Sequence, residues 1–462
     1  MFLNQTTYAV GSNPRSVAVV DVNSDNKPDI VVTNLGSATV SVLLNAGNGT
    51  FKAQTTYPVG AWPNSVAVVD VNSDNKPDIV VANFNSNNVG VLLNAGSGTF
   101  SAQTTYPVGN NPYSVAVVDV NSDNKSDIVV ANYGSNTVGV LLNAGSGTFS
   151  AQTTYSVGSY PISVAVADVN SDNKSDIVVT NLGSATVSVL LNAGSGTFSA
   201  QTTYPVGNNP YSVAVVDVNS DNKPDIVVAN SGWATVSVLL NAGNGTFNTQ
   251  TTYPVGSDPR SVAVVDVNSD NKPDIVVANY GSSTVSVLLN AGNGTFNNQT
   301  TYPVGSYPAS VAVVDVNSDN KPDIVVANYV GVLKLITDAN ETADKVFVIA
   351  RQLIGNNYLD MNEITVVGVD NINTNVGENY SVSSLFEDEL SNTYMADGFN
   401  IDPTTTNISF YKFREYILTF SPWCMVLASL DRLISNLPDA NRTQYEAPTR
   451  ISQIINDCIY SE

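Results

Sequence analysis

The stretch DVNSDNKPDIVV, residues 21–32, places Asp21, Asn23, Asp25 and Asp29 at positions one, three, five and nine of a loop. Valine and isoleucine flank the loop on both sides with the β-branched bias of buried strands. Its first Asp recurs at 70, 119, 168, 217, 266 and 315, so seven copies follow one another at a spacing of 49 residues. A repeat this regular, with a length in the forties, suits a four-stranded propeller blade.

One period reads as four short strands. SVAVVDV (65–71) leads through the acidic loop into DIVVAN (78–83). NVGVLLN (88–94) and the glycine turn AGSG (95–98) then precede TFSAQTTYPVG (99–109). Unbroken runs such as VAVV and IVV predict strands covered on both faces. Phe2 is in register with Phe51, Phe100, Phe149, Phe198, Phe247 and Phe296, so the chain begins in the fourth strand of a blade. The last repeat supplies a first and second strand and stops inside the third, where NYVGVL (328–333) reads as NYGSNTVGVL with four residues removed. One split blade and six whole ones close a ring and remove its open edges, which a linear β-solenoid, the rival arrangement, would keep. The expectation is an all-β seven-bladed β-propeller over residues 1–333, closed by the N-terminal strand. A smaller segment, α-containing or poorly ordered, follows over 334–462.

The net charge is −22, which speaks against nucleic acid as a partner. Residues 1–330 hold 22 acidic groups, all Asp and all but one in the loops; the first Glu is Glu341. A need for the shorter carboxylate at fixed geometry explains that bias better than a solvated acidic surface does. Oxygen ligands at alternating positions of a tight loop suit a hard divalent cation, calcium above all. The expected metal ligands are Asp21, Asn23, Asp25 and Asp29, then Asp70, Asn72, Asp74 and Asp78, then Asp119, Asn121, Asp123 and Asp127, then Asp168, Asn170, Asp172 and Asp176. Asp217, Asn219, Asp221 and Asp225, then Asp266, Asn268, Asp270 and Asp274, and finally Asp315, Asn317, Asp319 and Asp323 complete the seven sets. Calcium, up to one Ca2+ per repeat, would be structural. An EF-hand fails because position twelve is Val32 where it needs a bidentate Glu, and zinc fails for want of any His. The competing reading is a polar turn held by its own Asx contacts, which leaves the repulsion among three carboxylates unexplained.

DVNSDNKPDIVVAN followed by TVSVLLNAGNGTF resembles the FG-GAP and VCBS repeats, a family whose integrin α members carry a seven-bladed propeller at the N-terminus. The resemblance spans residues 1–333. It implies calcium in the loops and an extracellular adhesion or recognition role, integrin α-like, toward a protein or glycan. One departure is Asn26, with its six equivalents, where the family usually has Gly; Asn is the next best residue for a left-handed turn.

Comparing the copies shows where they vary. The link before the first strand reads SNPR, AWPN, NNPY, SYPI, NNPY, SDPR and SYPA, and the turn between second and third strands also changes. Both connections emerge opposite the acidic loops. Trp62, Tyr113, Tyr160, Tyr211, Trp233, Arg260 and Tyr307 lie in or beside them, material for a recognition surface, against the alternative that loop tips drift freely. No His exists, and neither GxSxG nor a Cys/His pair occurs, so a non-enzymatic role is expected. A glycan-active enzyme or its accessory carbohydrate-binding domain is the alternative, since two carboxylates suffice for that chemistry.

Beyond residue 333 the periodicity ends. Residues 413–437 have a helical pattern broken by Pro422, Asp431 and Arg432, read as a buried or amphipathic helix rather than a span; membrane association is unexpected for the propeller and open for the tail. CMVLASLDRL (424–433) faintly resembles the end of a helix in rhodopsin-like receptors; no receptor function follows, and the seam suggests a fused or truncated gene product. Cys424 and Cys458 are the only cysteines, so no disulfide framework supports the repeats. An extracellular or secreted location is expected, although MFLNQTTYAVGS lacks the features of a signal peptide, which leaves either an intracellular protein or a missing true start.

Overall fold

The computed structural model describes residues 2–47, 49–330 and 332–338, together with three short strands further on. The chain divides into two units, Met1–Ala339 and Asn340–Glu462. In the second, Phe347–Ile349, Thr365–Val367 and Asn379–Ser381 form an antiparallel sheet. The helical pattern at 413–437 and both cysteines lie outside the described residues. The first unit is a ring of seven four-stranded antiparallel sheets, an all-β seven-bladed propeller.

Blade one shows how the sequence makes each sheet. Pro14–Val20 pairs with Asp29–Asn34, then come Thr39–Leu43 and Thr55–Pro58. The second strand is buried at all six positions because sheet neighbours flank it and adjoining blades cover both its faces. The fourth strand is mostly exposed and forms the rim. Ahead of it, Asn45–Gly47 pairs with Thr50–Phe51 in a small hairpin. The stretch read as one strand over 99–109 is therefore two pieces, Thr99–Phe100 and Thr104–Pro107.

The apolar side chains form a cluster at each of the seven blade interfaces. Between blades one and two, Val31 and Val40 meet Ile79, Val81 and Leu92, and Phe100 closes the cluster. Each fully buried side chain of this kind contributes about 1.5–3 kcal/mol. Where the fourth strand leaves the sheet, backbone and side chain approach closely: a Cβ on Gly109 would lie 2.7 Å from Asn132 Cγ. Glycine at this place is thus a packing requirement.

Blade seven joins the chain's two ends. Phe2–Ala9 pairs with Val332–Asp338, which lies beside Asp323–Asn328 and Pro308–Val314. Phe2 pairs with Asp338 as Phe51 pairs with Asn45, the register expected for the N-terminal strand. The third strand departs from its expected position. Removing four residues would leave nothing to reverse the chain between Asn328 and a strand beginning at Val330, and even a tight hairpin needs two residues. Tyr329 and Val330 belong to the turn instead, Val330 is 58% exposed, and Asn328 pairs with Val332. Leu333 and Leu335 then face blade one while Ile336 faces blade six, all buried. The propeller strand runs on to Asp338 rather than stopping at Leu333.

Candidate functional site

The two ends of the ring carry different chemistry. On one, each acidic loop lies against the small hairpin of its own blade; on the other, the link into the first strand is tied to the turn after the second. In blade one, the amides of Leu35 and Gly36 donate to the carbonyls of Asn13 and Ser12, each at 2.9 Å.

Each acidic loop closes on its own amides. Asp21 Oδ1 accepts N–H bonds from Asn23, Ser24 and Asp25 at 2.7–3.2 Å, and Oδ2 accepts one from Asn26 at 2.7 Å. Asn23 Oδ1 takes a bond from Asp25 N at 2.9 Å, and Asp25 Oδ1 one from Lys27 N at 3.0 Å. Ser24 and Asn26 both adopt the left-handed conformation, at φ 63° and 62°. Asn26 and its six equivalents all do so, which is why Asn serves where the family has Gly. Asp29 is fully buried; Oδ2 accepts from Val22 N at 2.9 Å and Oδ1 from Asn45 N at 2.7 Å, pinning the loop to the hairpin. Asn45 Nδ2 in turn donates to Val316 O of the neighbouring blade at 2.9 Å, and five equivalent asparagines repeat this brace.

The loop electrostatics are those of crowded negative charge. Burial pushes Asp29, Asp78, Asp127, Asp176 and Asp274 above the usual carboxylate range, against the pull of their amide bonds, and the charges of the two other loop aspartates add to the rise. The same causes push Asp225 to about 6. At position five the balance reverses: burial is outweighed at Asp74 by the Lys76 amide, the Asn72 side chain and the Lys76 ammonium, which hold it low. Among the described residues, no three His, Cys, Asp or Glu side chains are arranged at metal-holding distance. The donor chemistry nevertheless fits a hard cation. It is all oxygen, and the carboxylate oxygens that accept a single amide, such as Asp21 Oδ2 and Asp25 Oδ1, retain a second lone pair.

The opposite face is built from a bulge repeated in every blade. In blade three Pro112 pairs with Asn132 and Ser114 with Ala131, so Tyr113 is the extra residue and is re-aimed toward the axis. The residues at this place are Arg15, Asn64, Tyr113, Ile162, Tyr211, Arg260 and Ala309; with the serines that follow, they line an axial cavity of about 100 Å³. Each serine Oγ accepts the amide of a valine in the next blade, from Val66 to Ser16 at 3.4 Å round to Val17 and Ser310 at 3.3 Å. At the axis, Arg15 donates to Asn64 Oδ1 at 3.1 Å and to the hydroxyls of Tyr113 and Tyr211, which also bond one another. Burial opposes the charge on Arg15, but the two tyrosine oxygens outweigh it. Burial also pushes the Tyr211 phenol up, against the pull of Arg15, so it stays protonated. Arg260 is paired with Asp258 at 2.8 Å and lies 3.5 Å over the Tyr280 ring.

Farther from the axis, the residue before each proline is left-handed. Asn13, Asn111, Asn209 and Asp258 suit that conformation, whereas blades two, four and seven place Trp62, Tyr160 and Tyr307 there at φ 57°, 55° and 59°. These three rings are 49%, 46% and 46% exposed. Trp62 stacks on Phe84 and Tyr160 on Tyr133, and a Phe84–Tyr133 contact makes them one aromatic strip. Tyr307 packs on Tyr280, which also meets Tyr329. Trp233 stands exposed in the turn of blade five. The sequence-read residues thus separate: Trp62, Tyr160, Tyr307 and Trp233 face outward, while Tyr113, Tyr211 and Arg260 gather at the axis. Phe84, Tyr133, Tyr280 and Arg15 are members of the site that sequence reasoning missed. Arg15 stands in the same register as Arg260, a signal the sequence does contain.

The family model described as FG-GAP-like repeat matches six overlapping windows, residues 21–81, 70–130, 119–179, 168–228, 217–277 and 266–326. A search of curated proteins returns no match. Among solved structures, virginiamycin B lyase from Staphylococcus aureus is 14% identical at a TM-score of 0.53, covering 73% of this chain and 100% of its own. Kuenenia stuttgartiensis hydrazine synthase is 15% identical at 0.54, covering 72% and 98%. At such identities the likeness is one of fold.

Proposed function

Because the chain belongs to the FG-GAP-like repeat family, we propose that its propeller is a non-enzymatic recognition module, extracellular, stiffened by calcium in the acidic loops and binding a protein or glycan on the variable face. One observation carries this reading. At a left-handed position where four blades use Asn or Asp, three place Trp or Tyr and leave the ring exposed. A bulky residue in that conformation costs about 1–3 kcal/mol, and strain kept at an exposed aromatic points to use of the ring. Large flat side chains with few torsions suit a contact surface, since little freedom is lost on binding.

Asp21, Asn23, Asp25 and Asp29, with their equivalents, would hold the ion. Bound there, calcium would neutralise carboxylates that now raise one another's pKa values and would tighten the loop that joins first and second strands. The partner then meets the other end of a stiffened ring.

The test is the protein on glycan and extracellular-protein arrays in calcium, with the supernatant assayed for released sugar. Retention without turnover is expected. Release of product, or no retention on either array, overturns the reading.

A further inference from the structure

We propose that the axial cavity on the variable face is a binding site for a small oxyanion, a carboxylate, held by Arg15. Of the acidic residues in the repeat region, all except Asp258 lie in the loops at the opposite end of the ring. Asp258 is already committed to Arg260, with Oδ2 at 2.8 Å from Nη2 and both carboxylate oxygens at 3.2 Å from Nε. Arg15 lines the same cavity, and its bonds run to the Asn64 oxygen and two tyrosine hydroxyls. Among the described residues no carboxylate pairs with it, and its Nη1 donates to none of them. The cavity lining therefore holds two guanidinium groups, of which Arg260 is paired with Asp258.

The tyrosine oxygens offset the burial of the Arg15 charge, but these partners are neutral, and a ligand carboxylate would add charge-assisted bonds that they do not supply. Tyr113 and Tyr211 add hydroxyls that can turn to donate to the same anion, and the serine ring makes the floor polar. A cavity of about 100 Å³ is several times the ~10–15 Å³ that a single water needs, enough for an acetate-sized group. Tyr113 touches Phe84 and Tyr133 of the aromatic strip, but the cavity is argued from Arg15 and not from the exposed rings, so its test is separate from that of the proposed partner surface.

The experiment is titration of the full chain with 13C-labelled acetate followed by NMR line broadening, with glucuronate, glucose and sulfate as competitors. Expected are saturable broadening, displacement by glucuronate but not by glucose, and a loss of tenfold or more in affinity in Arg15→Gln. Arg15→Lys should fall between the two, since it keeps the charge without the fork, and Lys52→Gln, at an exposed position outside the cavity lining, should bind as the parent does. A sulfate affinity tenfold above that of acetate would overturn the carboxylate assignment in favour of a tetrahedral oxyanion. Absence of saturable binding, or unchanged binding in a folded Arg15→Gln protein, overturns the site itself. Thermal midpoints of each variant check folding, and Arg15→Lys keeps the test open if Arg15→Gln does not fold.

Discussion

The amide of Val17 donates to Ser310 Oγ at 3.3 Å, joining residues 293 positions apart in the chain. The same bond links every other pair of adjacent blades, with separations of 50 positions. The closing contact is thus chemically ordinary and topologically singular: it joins blade one to blade seven, the blade that Phe2–Ala9 completes. Deleting residues 1–9 would leave Val332–Asp338 as an open edge. The expected result is a lower thermal midpoint and a shift to aggregates in size-exclusion chromatography; a monodisperse, equally stable protein would contradict the closure.

The end of the propeller makes a second prediction. Leu335 is 1% exposed at the interface of blades seven and one, although it lies outside the repeat pattern. Leu335→Ala should cost about 2–5 kcal/mol in chemical denaturation, as for any core leucine. A change within error would place the strand elsewhere.

Calcium is expected to raise the midpoint of thermal unfolding, and chelation to lower it. A site at a hundredfold excess of free ion over its dissociation constant adds about 2.7 kcal/mol, multiplied by the number of loops that fill. An unchanged midpoint would remove calcium from the account and leave the loops as Asx turns.

The position-nine aspartates give the metal-stripped protein an unusual pH dependence. The folded pKa values of Asp29, Asp78, Asp127, Asp176 and Asp274 are raised over a reference near 3.8, and Asp225 reaches about 6. Between those values the folded state binds more protons than the unfolded one, so this contribution is fully present below about 4 and is lost as pH rises through about 6. Stripped protein should therefore melt higher at pH 5 than at pH 7. Saturating calcium should remove or invert that slope, because the ion favours the charged carboxylates. Stability that rises from pH 5 to 7 without metal would contradict the crowded-charge picture.

The strained aromatics make the reverse of a usual prediction. Tyr160→Asn replaces a bulky residue at φ 55° with one suited to it, at the loss of a ring contact with Tyr133. The variant should be as stable as the parent or more so, by up to about 1 kcal/mol in denaturant titration. A loss of more than 1 kcal/mol would mean that the ring is there for packing.

Much of this architecture was legible because its signals are local. The loop DVNSDNKPD, the buried run that follows and the glycine turns fix each blade within 49 residues, and Phe2 in phase with Phe51 fixes the closure. The seam was not legible: VGVL copies an earlier strand, and only the need for residues to turn the chain moves the pairing to Val332. On the variable face the loop tips were readable, but the bulge was not. Tyr113 follows its proline whereas Trp62 and Tyr160 precede theirs, and that step decides whether a ring faces the axis, as at Tyr113, or solvent, as at Trp62 and Tyr160. Arg15 was legible only through its shared register with Arg260, since nothing in SNPR itself shows that its side chain meets Tyr113 and Tyr211 from blades far along the chain.

The most direct test of the central claim, that the exposed rings of the variable face bind the partner, is the affinity of the triple variant Trp62→Asn/Tyr160→Asn/Tyr307→Asn for whatever the arrays retain. The account predicts a thermal midpoint at or above that of the parent and an affinity at least tenfold weaker. Undiminished affinity in that stable variant would contradict it.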